Sequence, residues 1–319
     1  MHKSKCPACK SQHTVKNGIR NGIQTYKCQE CGYQFRNLRL PSHEELWMLY
    51  QEGKQTMSRI AARLCVSEST IKRRLRGITQ EWEQPPLSGG GFVHLDVTYW
   101  GHNWGVLLAQ DSRNGMPLYL EFVSSEKISD YVTAVGSIRE RGYEIKGLVI
   151  DGKKGLFSEL SDYKLQMCQF HMKEIVRRYV TRNPRLKAAR ELNGLMKRLN
   201  GSTKSDFERD YGAWKERWKE TLGKRSTLKS GKTKYRHTRL RGAMKSIDFY
   251  LPYLFTHQLE ECKGMPNTNN KIEGTFTNLK NKLNNHNGLT KENRKRFICG
   301  FFLAYLSTRM WECEAEATV

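Results

Sequence analysis

Three carboxylates occupy positions where the sequence otherwise predicts regular secondary structure. Asp96 lies in the middle of the apolar segment Phe92–Tyr99, Asp151 directly follows the apolar run Ile145–Ile150, and Glu273 falls within a helical pattern. A charge inside a strand is costly unless something pairs with it. Three acids on separate elements, two of them on neighbouring strands, are what two hard divalent cations require. Such ions support phosphoryl transfer by activating a water or a 3′-hydroxyl, so we expect two catalytic Mg²⁺ or Mn²⁺ ions here.

Each of these acids also has a structural explanation. Asp96 can be a satisfied polar group in the core, Asp151 a turn former, and Glu273 a surface charge. Asp111 and Glu121, both at the ends of predicted strands, are the alternative ligands if one of the three is wrong.

A cation accompanies the third acid. Lys280 follows Glu273 by two helical turns and therefore lies on the same face of the predicted helix. We expect it to contact a DNA phosphate beside the metal ions.

The elements that carry the acids form an alternating pattern. A helix over Ser129–Arg141 precedes the last strand of the set, and a second helix is predicted from Asn269 to about Leu283. Antiparallel strands followed by a helical crossover into a buried strand indicate an α+β or α/β core. The predicted strands are Phe92–Tyr99, Trp104–Gln110, Pro117–Val123 and Ile145–Ile150, the first two joined by a tight turn at Gly101–Asn103.

Four cysteines near the N-terminus have the spacing of a zinc site. Cys6 and Cys9 form one Cys-x2-Cys pair, and Cys28 and Cys31 form a second pair 18 residues later. Each pair presents two sulfurs from one turn, and two such turns complete a tetrahedron around structural Zn²⁺. Gly32 suits the tight turn after the second pair. Redox dithiols or unrelated free cysteines are the alternative interpretation.

The segment after the four cysteines, which together predict a zinc ribbon, has the pattern of a helix-turn-helix. Ile60, Ala61 and Leu64 would form the buried face of the first helix, Val66 the turn, and Ser67 the cap of the second helix. Ile71 and Leu75 would then face the core. The exposed face of the second helix would carry Lys72, Arg73 and Arg74, which suits insertion into the major groove of DNA. An ordinary helical hairpin with solvated arginines is the alternative interpretation.

Charge is distributed unevenly along the chain. The 319 residues include 55 Lys and Arg against 32 Asp and Glu, a formal net charge of +23. Residues 1–87 carry a net +8, residues 88–171 a net −2, and residues 172–245 a net +16. Such an excess implies a polyanionic partner, of which nucleic acid is the commonest. Carboxylates grouped to hold cations, flanked by segments that hold DNA, would give this distribution.

The most basic segment is predicted to be helical. Trp214 and Trp218 lie one helical turn apart, and packing between helices is the preferred interpretation over base stacking. A flexible-looking stretch, Gly223–Thr233, interrupts the helices. The cations that follow it are candidates for an element ordered only on DNA; they are Arg236, Arg239 and Arg241.

Targeting signals are not evident in the sequence. The most apolar stretch, Phe297–Leu306, is too short to span a bilayer and predicts a buried helix. Nine cysteines without a secretion signal favour metal binding or free thiols over disulfides. We therefore expect a cytoplasmic protein without membrane contact.

Together these residues resemble a known family. The order Asp96, Asp151, a long basic helical stretch and then Asn-x-Ile-Glu-x-x-Phe-x-x-Leu-Lys is similar to the Mutator-like transposases. Within these the chain is most similar to bacterial insertion-sequence enzymes of the variant with a zinc-binding N-terminus. The resemblance covers residues from about 90 to 310. It implies an RNase H-like core with Asp96, Asp151 and Glu273 as the catalytic triad, and an all-helical insertion before the helix that bears Glu273.

The resemblance also implies a role for a short motif. The family has a Cys/Asp-x2-His motif shortly after the second aspartate, which Cys168-Gln-Phe-His171 matches. His171 is expected to touch the scissile phosphate or to orient a metal ligand.

The sequence therefore predicts an α/β protein of several parts. We expect a DNA transposase that binds the terminal inverted repeats of an insertion sequence as a homodimer or higher oligomer, near the bacterial nucleoid. The predicted parts are a zinc ribbon (1–40), a helix-turn-helix domain (41–84), a linker (85–91), a first core part (92–181), a basic helical insertion (182–265) and C-terminal core helices with Glu273 (266–319).

Three rival functions remain open at this stage. A DNA-binding regulator derived from a transposase would keep the ribbon and the helix-turn-helix without catalysis. A metal-dependent nuclease or resolvase would cleave DNA but not rejoin it. A tyrosine or serine recombinase is disfavoured because no nucleophile has a convincing set of arginines around it.

Overall fold

A computed structural model describes most of the chain, in two compact units. The units comprise Met1–Glu81 with Lys280–Gly300, and Trp82–Leu279 with Phe301–Val319. The described residues are 5–20, 23–36, 41–51, 53, 55–78, 81–84, 86–101, 104–228, 230–286 and 288–316, with side chains up to residue 306. Parts of several predicted features lie outside them, among them residues 1–4, 21–22 and 37–40 of the ribbon, residues 52, 54, 79 and 80 of the helix-turn-helix domain, Pro85 of the linker, and residues 102 and 103 of the tight turn.

The first unit begins with a three-stranded antiparallel sheet. Its strands are β1 (Thr14–Arg20), β2 (Ile23–Cys28) and β3 (Gln34–Arg36), with β2 in the centre. The strand-like pieces predicted around Thr25–Lys27 and Tyr33–Arg36 correspond to β2 and β3. The pattern does not reveal β1, because most of its residues are exposed on both faces and show no apolar alternation.

Three short helices follow this sheet. They are α1 (His43–Gln51), α2 (Met57–Arg63) and α3 (Glu68–Arg76). The hydroxyl of Thr56 caps α2, and that of Ser67 accepts a hydrogen bond from the backbone N–H of Thr70 at 3.2 Å, so the predicted cap of α3 is confirmed.

The core of the first unit includes a segment from far along the chain. Trp47 and Tyr50 of α1 pack against Phe297, with ring centroids 6.4 and 5.9 Å away, and Tyr50 also packs on His286. The side-chain amide of Gln51 donates to the backbone oxygen of Phe297 at 3.2 Å. The structure therefore groups Lys280–Gly300 with the N-terminal residues, whereas the sequence assigned all of 266–319 to the catalytic core. Apolar patterning shows that these residues are buried but not which surface buries them.

A five-stranded mixed sheet forms the centre of the second unit. Its spatial order is β6-β5-β4-β7-β8; β4, β5 and β6 pair antiparallel, and β4–β7 and β7–β8 pair parallel. The α/β class predicted from the sequence is confirmed. The strands are β4 (Gly90–Tyr99), β5 (Gly105–Asp111), β6 (Pro117–Val123), β7 (Glu144–Ile150) and β8 (Leu165–Met167).

Two helices connect the parallel strands. Helix α4 (Ile128–Glu140) crosses from β6 to β7, and α5 (Lys154–Glu159) leads from β7 to β8. Helix α4 buries Tyr131, Ala134 and Ile138, which belong to the main core together with side chains of β4 and β5. All seven residues of β5 are buried, as expected for a strand covered on both faces.

The segment between the sheet and the Glu273 helix is mostly helical. It contains α6 (Gln169–Val180), α7 (Lys187–Arg198), α8 (Lys204–Arg217), α9 (Lys219–Gly223) and α10 (Thr238–Tyr250), with short 3-10 turns after α7 and α10. The prediction of an all-helical insertion is wrong in one place. Strands β9 (Arg225–Thr227) and β10 (Thr233–Tyr235) form an antiparallel hairpin in the stretch interpreted as flexible. Gly231, at a φ of 76°, allows the chain to reverse there.

Two helices complete the chain. They are α11 (Asn270–Leu283), which carries Glu273, and α12 (Lys291–Glu316). Both were predicted, and α12 begins earlier than the expected Arg294. None of the described helices is long and apolar enough to cross a membrane.

Candidate active site and cysteine cluster

Two of the predicted acids come from adjacent parallel strands. The register pairs His94 of β4 with Val149 of β7. Asp96 and Asp151 each lie two residues further along, so the pleat places them at the same level and on the same face of the sheet. One oxygen of Asp96 accepts from the backbone N–H of Val97 at 2.7 Å. The topology thus explains why acids far apart in sequence come together.

A histidine lies between the second and third acids. Nδ1 of His171 lies 3.0 Å from Oδ1 of Asp151, and its Nε2 lies 3.7 Å from Oε1 of Glu273. Neither His171 Nδ1 nor Glu273 Oε1 makes a hydrogen bond of good geometry with any described residue, although both atoms are buried. The contacts are therefore ion pairs. The structure brings Asp151, His171 and Glu273 together as the sequence expects.

The electrostatics of this cluster are those of crowded acids. Burial, together with the nearby carboxylate of Asp151, raises the pKa of Asp96 well above its usual range. Burial also raises the pKa of Glu273. Although burial of its ring acts in the opposite direction, the adjacent Asp151 raises the pKa of His171 to about 11. The imidazolium is thus a cation held between two carboxylates, and the cluster as a whole favours positive charge.

Asn269 organises the cluster, and sequence reasoning did not assign it a role. Its amide nitrogen lies 3.3 Å from Oδ1 of Asp151, and its amide oxygen lies 2.8 Å from Nδ1 of His94. Both Asn269 and His94 are almost completely buried. The residue also accepts the N–H of Glu273 on its backbone oxygen at 3.1 Å, which starts the helix of the third acid. A signal existed in the spacing, because Asn269 precedes Glu273 by one helical turn and His94 precedes Asp96 by one strand repeat.

Cys168 supports the same arrangement from the start of α6. Its thiol sulfur accepts the backbone N–H of Asn269 at 3.2 Å, and its own N–H donates to Ile150 at 2.9 Å. The side chain is fully buried. Cys168 therefore joins β7, α6 and the start of α11, which makes it a positioning residue for His171, one helical turn further on.

The Glu273 helix is also fixed along its length. The side-chain amide of Gln110 donates to the hydroxyl of Thr275 at 3.1 Å, and both side chains are buried. The ammonium group of Lys271 donates to the backbone oxygens of Ser112 and Arg113. These contacts hold α11 on the β5–β6 hairpin. Lys280 lies further along the same helix and is half-buried.

The two alternative acids have other partners. Asp111 caps the turn after β5 by accepting the backbone N–H groups of Arg113 and Asn114, and its second oxygen accepts the hydroxyl of Tyr143. Glu121 accepts the hydroxyl of Tyr119 at 2.7 Å. Neither acid contacts His171 or Asn269, so the structure gives no reason to substitute them.

The four N-terminal cysteines form one cluster. Their sulfurs all lie within 4.8 Å of one another, with Cys6–Cys31 at 3.6 Å and Cys9–Cys28 at 3.5 Å. A disulfide needs about 2 Å, whereas ligands of a tetrahedral zinc ion with Zn–S bonds of about 2.3 Å lie roughly 3.8 Å apart. The cluster can therefore hold a metal ion such as zinc. It is the only such group of three or more potential ligands in the part of the chain that the structure describes.

The two cysteine pairs have the same local geometry. In each pair the backbone N–H of the first cysteine donates to an oxygen five residues ahead, from Cys6 to Ser11 and from Cys28 to Tyr33. The residue after the second cysteine has a positive φ in both, 62° at Lys10 and 73° at Gly32. This arrangement turns backbone N–H groups toward the sulfurs, and the N–H of Cys31 contributes most to lowering the pKa of Cys28 to about 6. Against the effect of burial, the N–H groups of Cys9 and Ala8 also lower the pKa of Cys6, whereas the neighbouring thiols and burial raise the pKa of Cys9 and that of Cys31.

The predicted DNA-contacting residues of α3 differ in their environments. Lys72 and Arg73 are exposed. Arg74 is half-buried, and its guanidinium donates to the backbone oxygen of Pro41 at 2.8 Å, which gives it a structural role. Arg76, which the sequence analysis did not select, is exposed one helical turn after Lys72.

The three arginines of the insertion also differ. Arg236 is exposed and has no side-chain partner among the described residues. Arg239 donates to the backbone oxygen of Arg178 at 2.6 Å. Arg241 donates to Leu222 at 3.0 Å and lies 3.6 Å from the ring centroid of Tyr235, so it stabilises the hairpin.

The tryptophan pair belongs to the packing of the insertion. Trp214 is buried and donates to the backbone oxygen of Ala188 at 2.9 Å. Trp218 donates to Glu191 at 2.8 Å. The preferred interpretation, packing between helices, is confirmed for both.

Comparison with known proteins adds no assignment. The sequence matches no protein-family model and no curated protein at a significant level.

Proposed function

We propose that this protein is a DNA transposase that cuts and rejoins the ends of an insertion sequence through Asp96, Asp151 and Glu273. The observation that carries the proposal is the cluster itself. Two neighbouring parallel strands and one helix each supply an acid, and the helix is tied to Asp151 by Asn269. The contacts of the half-buried His171 and the fully buried Asn269 with these acids distinguish the cluster from an incidental group of surface acids.

The strand order supports an RNase H-like core. Three antiparallel strands are followed by two parallel strands on the other side of β4, with one acid on the central strand and one after its parallel neighbour. This arrangement is the one that the family resemblance implies for Asp96 and Asp151. The mostly helical insertion before α11 fits the same expectation.

The three acids would hold two divalent cations, Mg²⁺ or Mn²⁺. Glu273 offers a buried oxygen without a hydrogen-bond donor, and crowding of the acids favours bound cations. Three carboxylates spread wider than the shell of one ion suit two ions about 3.5–4 Å apart. When bound, the ions would activate the attacking oxygen and stabilise the leaving one. Asn269 and His171 would keep Asp151 and Glu273 in orientation.

The reaction proposed has two steps at one site. Water first attacks the phosphodiester at the end of the element, and the bond to the departing 3′-oxygen breaks to free a 3′-hydroxyl. That hydroxyl then attacks a phosphodiester of the target DNA and displaces a 3′-oxygen there. Positioning and electrostatic stabilisation supply most of the catalysis in phosphoryl transfer.

The remaining parts would bind DNA. The cysteine cluster with structural Zn²⁺ would order the N-terminal segment, whose small sheet has little apolar core of its own. Lys72 and Arg73 of α3 would contact the terminal repeats, while Arg236 and the other cations of the insertion would follow the phosphate backbone. A homodimer or higher oligomer would hold two ends together.

The test is metal-dependent cleavage and joining of a labelled end fragment. Wild type is compared with Asp151→Asn and Glu273→Gln, in Mg²⁺ and in EDTA. Asp162→Asn and Glu159→Gln are matched controls, because they make the same changes at exposed acids of the same unit. We expect joining only in Mg²⁺ and only without the site variants, with end binding retained in all. End binding without cleavage in any metal would instead identify a regulator, and cleavage without joining a nuclease.

A further inference from the structure

A cleft begins directly beside the second acid. It has a volume of about 330 Å³ and is lined by Gly152, Lys154, Ile175, Arg178, Tyr179, Ser246 and Tyr250. Gly152 is the neighbour of Asp151 in sequence, and its backbone oxygen accepts the hydroxyl of Tyr250. None of the described lining residues is acidic. The cleft therefore offers positive charge next to a site crowded with negative charge.

The cleft continues from the acid cluster along one face of α6. His171, Ile175 and Arg178 are spaced by four and three residues, which places them in a line on the same side of the helix. Arg178 lies about 10 Å beyond His171 along the helix axis. That separation corresponds to one or two nucleotides along a DNA strand whose reacting phosphate lies at the acids.

Two cations at the cleft are open to a ligand. Lys154 and Arg178 are both exposed; the ammonium group of Lys154 lies 4.7 Å from the ring centroid of Phe249, and the guanidinium of Arg178 has no hydrogen bond or ion pair with any residue that the structure describes. The neighbouring Arg177, by contrast, pairs with Glu174. Arginine suits phosphate because its guanidinium presents several donors in one plane.

A hydroxyl also lines the cleft. Ser246 is only 6% exposed as a residue, and it is one of the lining residues of the cleft. A serine hydroxyl can donate one hydrogen bond. An acceptor oxygen bound in the cleft would be a suitable partner for it.

Two glycines allow close packing around the cleft. A Cβ atom at Gly152 would lie 2.4 Å from Cδ1 of Ile175, and one at Gly242 would lie 2.6 Å from the ring of Tyr179. The absence of a side chain at both positions lets α6 approach its neighbours closely.

We propose that this cleft binds a phosphodiester of the DNA strand next to the one that reacts, through Lys154, Arg178 and the Ser246 hydroxyl. The inference rests on the proposed function, because it places DNA at the acid cluster. It adds a positioning site that keeps the scissile phosphate in line with the acids. The strand can belong to the element end or to the target, because the backbones of both contain phosphodiesters.

The test uses the full chain and DNA in which single phosphates are replaced by neutral methylphosphonates. The replacements are scanned across the positions around the scissile bond, in one arm in the end fragment and in another in the target. We expect one or two positions beside the scissile phosphate to lower the cleavage or joining rate by about 10- to 100-fold, the loss of a charge-assisted hydrogen bond. The arm that responds identifies the strand.

Arg178→Gln should cause a similar loss on unmodified DNA and reduce the sensitivity to that methylphosphonate, because the two changes share one interaction and only the contacts of Lys154 and Ser246 remain. Ser246→Ala should lose about 2- to 10-fold. Arg177→Gln is the matched control, since it changes the same charge one residue away and outside this cleft. Equal losses for Arg177→Gln and Arg178→Gln, or undiminished methylphosphonate sensitivity in Arg178→Gln, would overturn the proposal.

A binding measurement separates this inference from the proposed function. In EDTA, where no cleavage occurs, the affinity of the wild type for pre-nicked ends should fall at the same methylphosphonate position, and that of Arg178→Gln should fall by a smaller factor. If the wild type cleaves nothing in any metal, the transposase proposal fails, but this measurement still shows whether the cleft binds a phosphodiester. If the wild type cleaves but its binding and rate ignore every methylphosphonate near the scissile bond, only the cleft proposal fails.

Discussion

The side-chain amide of Asn269 donates to Oδ1 of Asp151 at 3.3 Å, and this one contact links the helix of the third acid to the strand of the second. The same amide oxygen lies 2.8 Å from the buried His94, so both ends of the Asn269 side chain have partners. The spatial relation of Asp151 to Glu273 therefore depends on a residue that carries no charge.

Replacing Asn269 should lower both the stability of the fold and the rate of cleavage. Asn269→Ala would leave His94 Nδ1 buried without a partner and release Asp151, so we expect a loss of about 1–3 kcal/mol in unfolding free energy and a cleavage rate reduced by about 10- to 100-fold. Thermal unfolding and end cleavage measure the two effects. Asn270→Ala, at the exposed next position, is the control. Equal behaviour of the two variants would show that Asn269 has no special role.

His171 should affect the rate without affecting DNA binding. His171→Gln keeps a donor near Asp151 but removes the cation between Asp151 and Glu273. We expect cleavage to fall by about 10- to 100-fold, as for partners that orient metal ligands, with the affinity for end DNA unchanged. Single-turnover cleavage and fluorescence anisotropy measure these quantities. A normal rate in this variant would contradict the positioning role.

The cysteine cluster should contain one metal ion per chain. Elemental analysis should find zinc in the wild type and none in Cys28→Ser, whereas Cys65→Ser, at an exposed cysteine outside the cluster, should keep it. Because metal supplies most of the folding energy of so small a sheet, a chelator should unfold it and weaken binding to end DNA. Zinc-free wild type with native affinity for DNA would refute this expectation.

The basic residues of α3 should separate into two groups. Lys72→Ala and Arg73→Ala should weaken end binding, and each should lower the slope of log affinity against log salt by about one if its side chain binds one phosphate. Arg74→Ala should instead lower the melting temperature, because its guanidinium holds the oxygen of Pro41. Salt-dependent anisotropy and thermal melts distinguish the groups. A stable Arg74→Ala protein with the largest decrease in DNA affinity would reverse this assignment.

His286 should make the first unit sensitive to acid. Burial lowers the pKa of this histidine, which packs 4.2 Å from the ring centroid of Tyr50. As the pH falls below about 6.5, the unfolded chain takes up a proton before the folded one does, so the unfolding free energy declines until the pH passes the folded-state pKa. The stabilisation is therefore present near neutral pH and lost in acid.

Melting curves between about pH 7 and pH 5 test this sign. The melting temperature should fall less steeply with acid in His286→Gln, which does not titrate, than in the wild type. His43→Gln removes an exposed histidine of the same unit and is the control. A steeper fall in His286→Gln than in the wild type would mean that the sign is wrong.

Much of the core could be predicted from sequence because its signals are local. Strands β4, β6 and β7 are mostly apolar, and the positions of Asp96 within β4 and Asp151 after β7 were enough to predict two acids on neighbouring strands. The Cys-x2-Cys spacing likewise determines the geometry of each turn. These features depend on residues that are close in sequence, so the sequence pattern is sufficient to predict them.

The remaining features depend on contacts between distant residues. The spacing of Asn269 from Glu273 indicates a position near the acids but does not reveal that its amide reaches Asp151, and nothing near Arg74 reveals that it donates to Pro41. The β9–β10 hairpin was missed because three-residue strands give too short an alternation to distinguish from a loop. The placement of Phe297 against α1 was missed because apolar character does not specify a partner.

The packing of Phe297 and His286 on Trp47 and Tyr50 has a consequence for synthesis. The aromatic residues of α1 obtain these partners only after translation has reached His286 and Phe297, far along the chain. Until then α1 exposes an unpaired aromatic surface, and the N-terminal unit remains incomplete. A chain terminated before His286 would therefore lack a complete N-terminal unit.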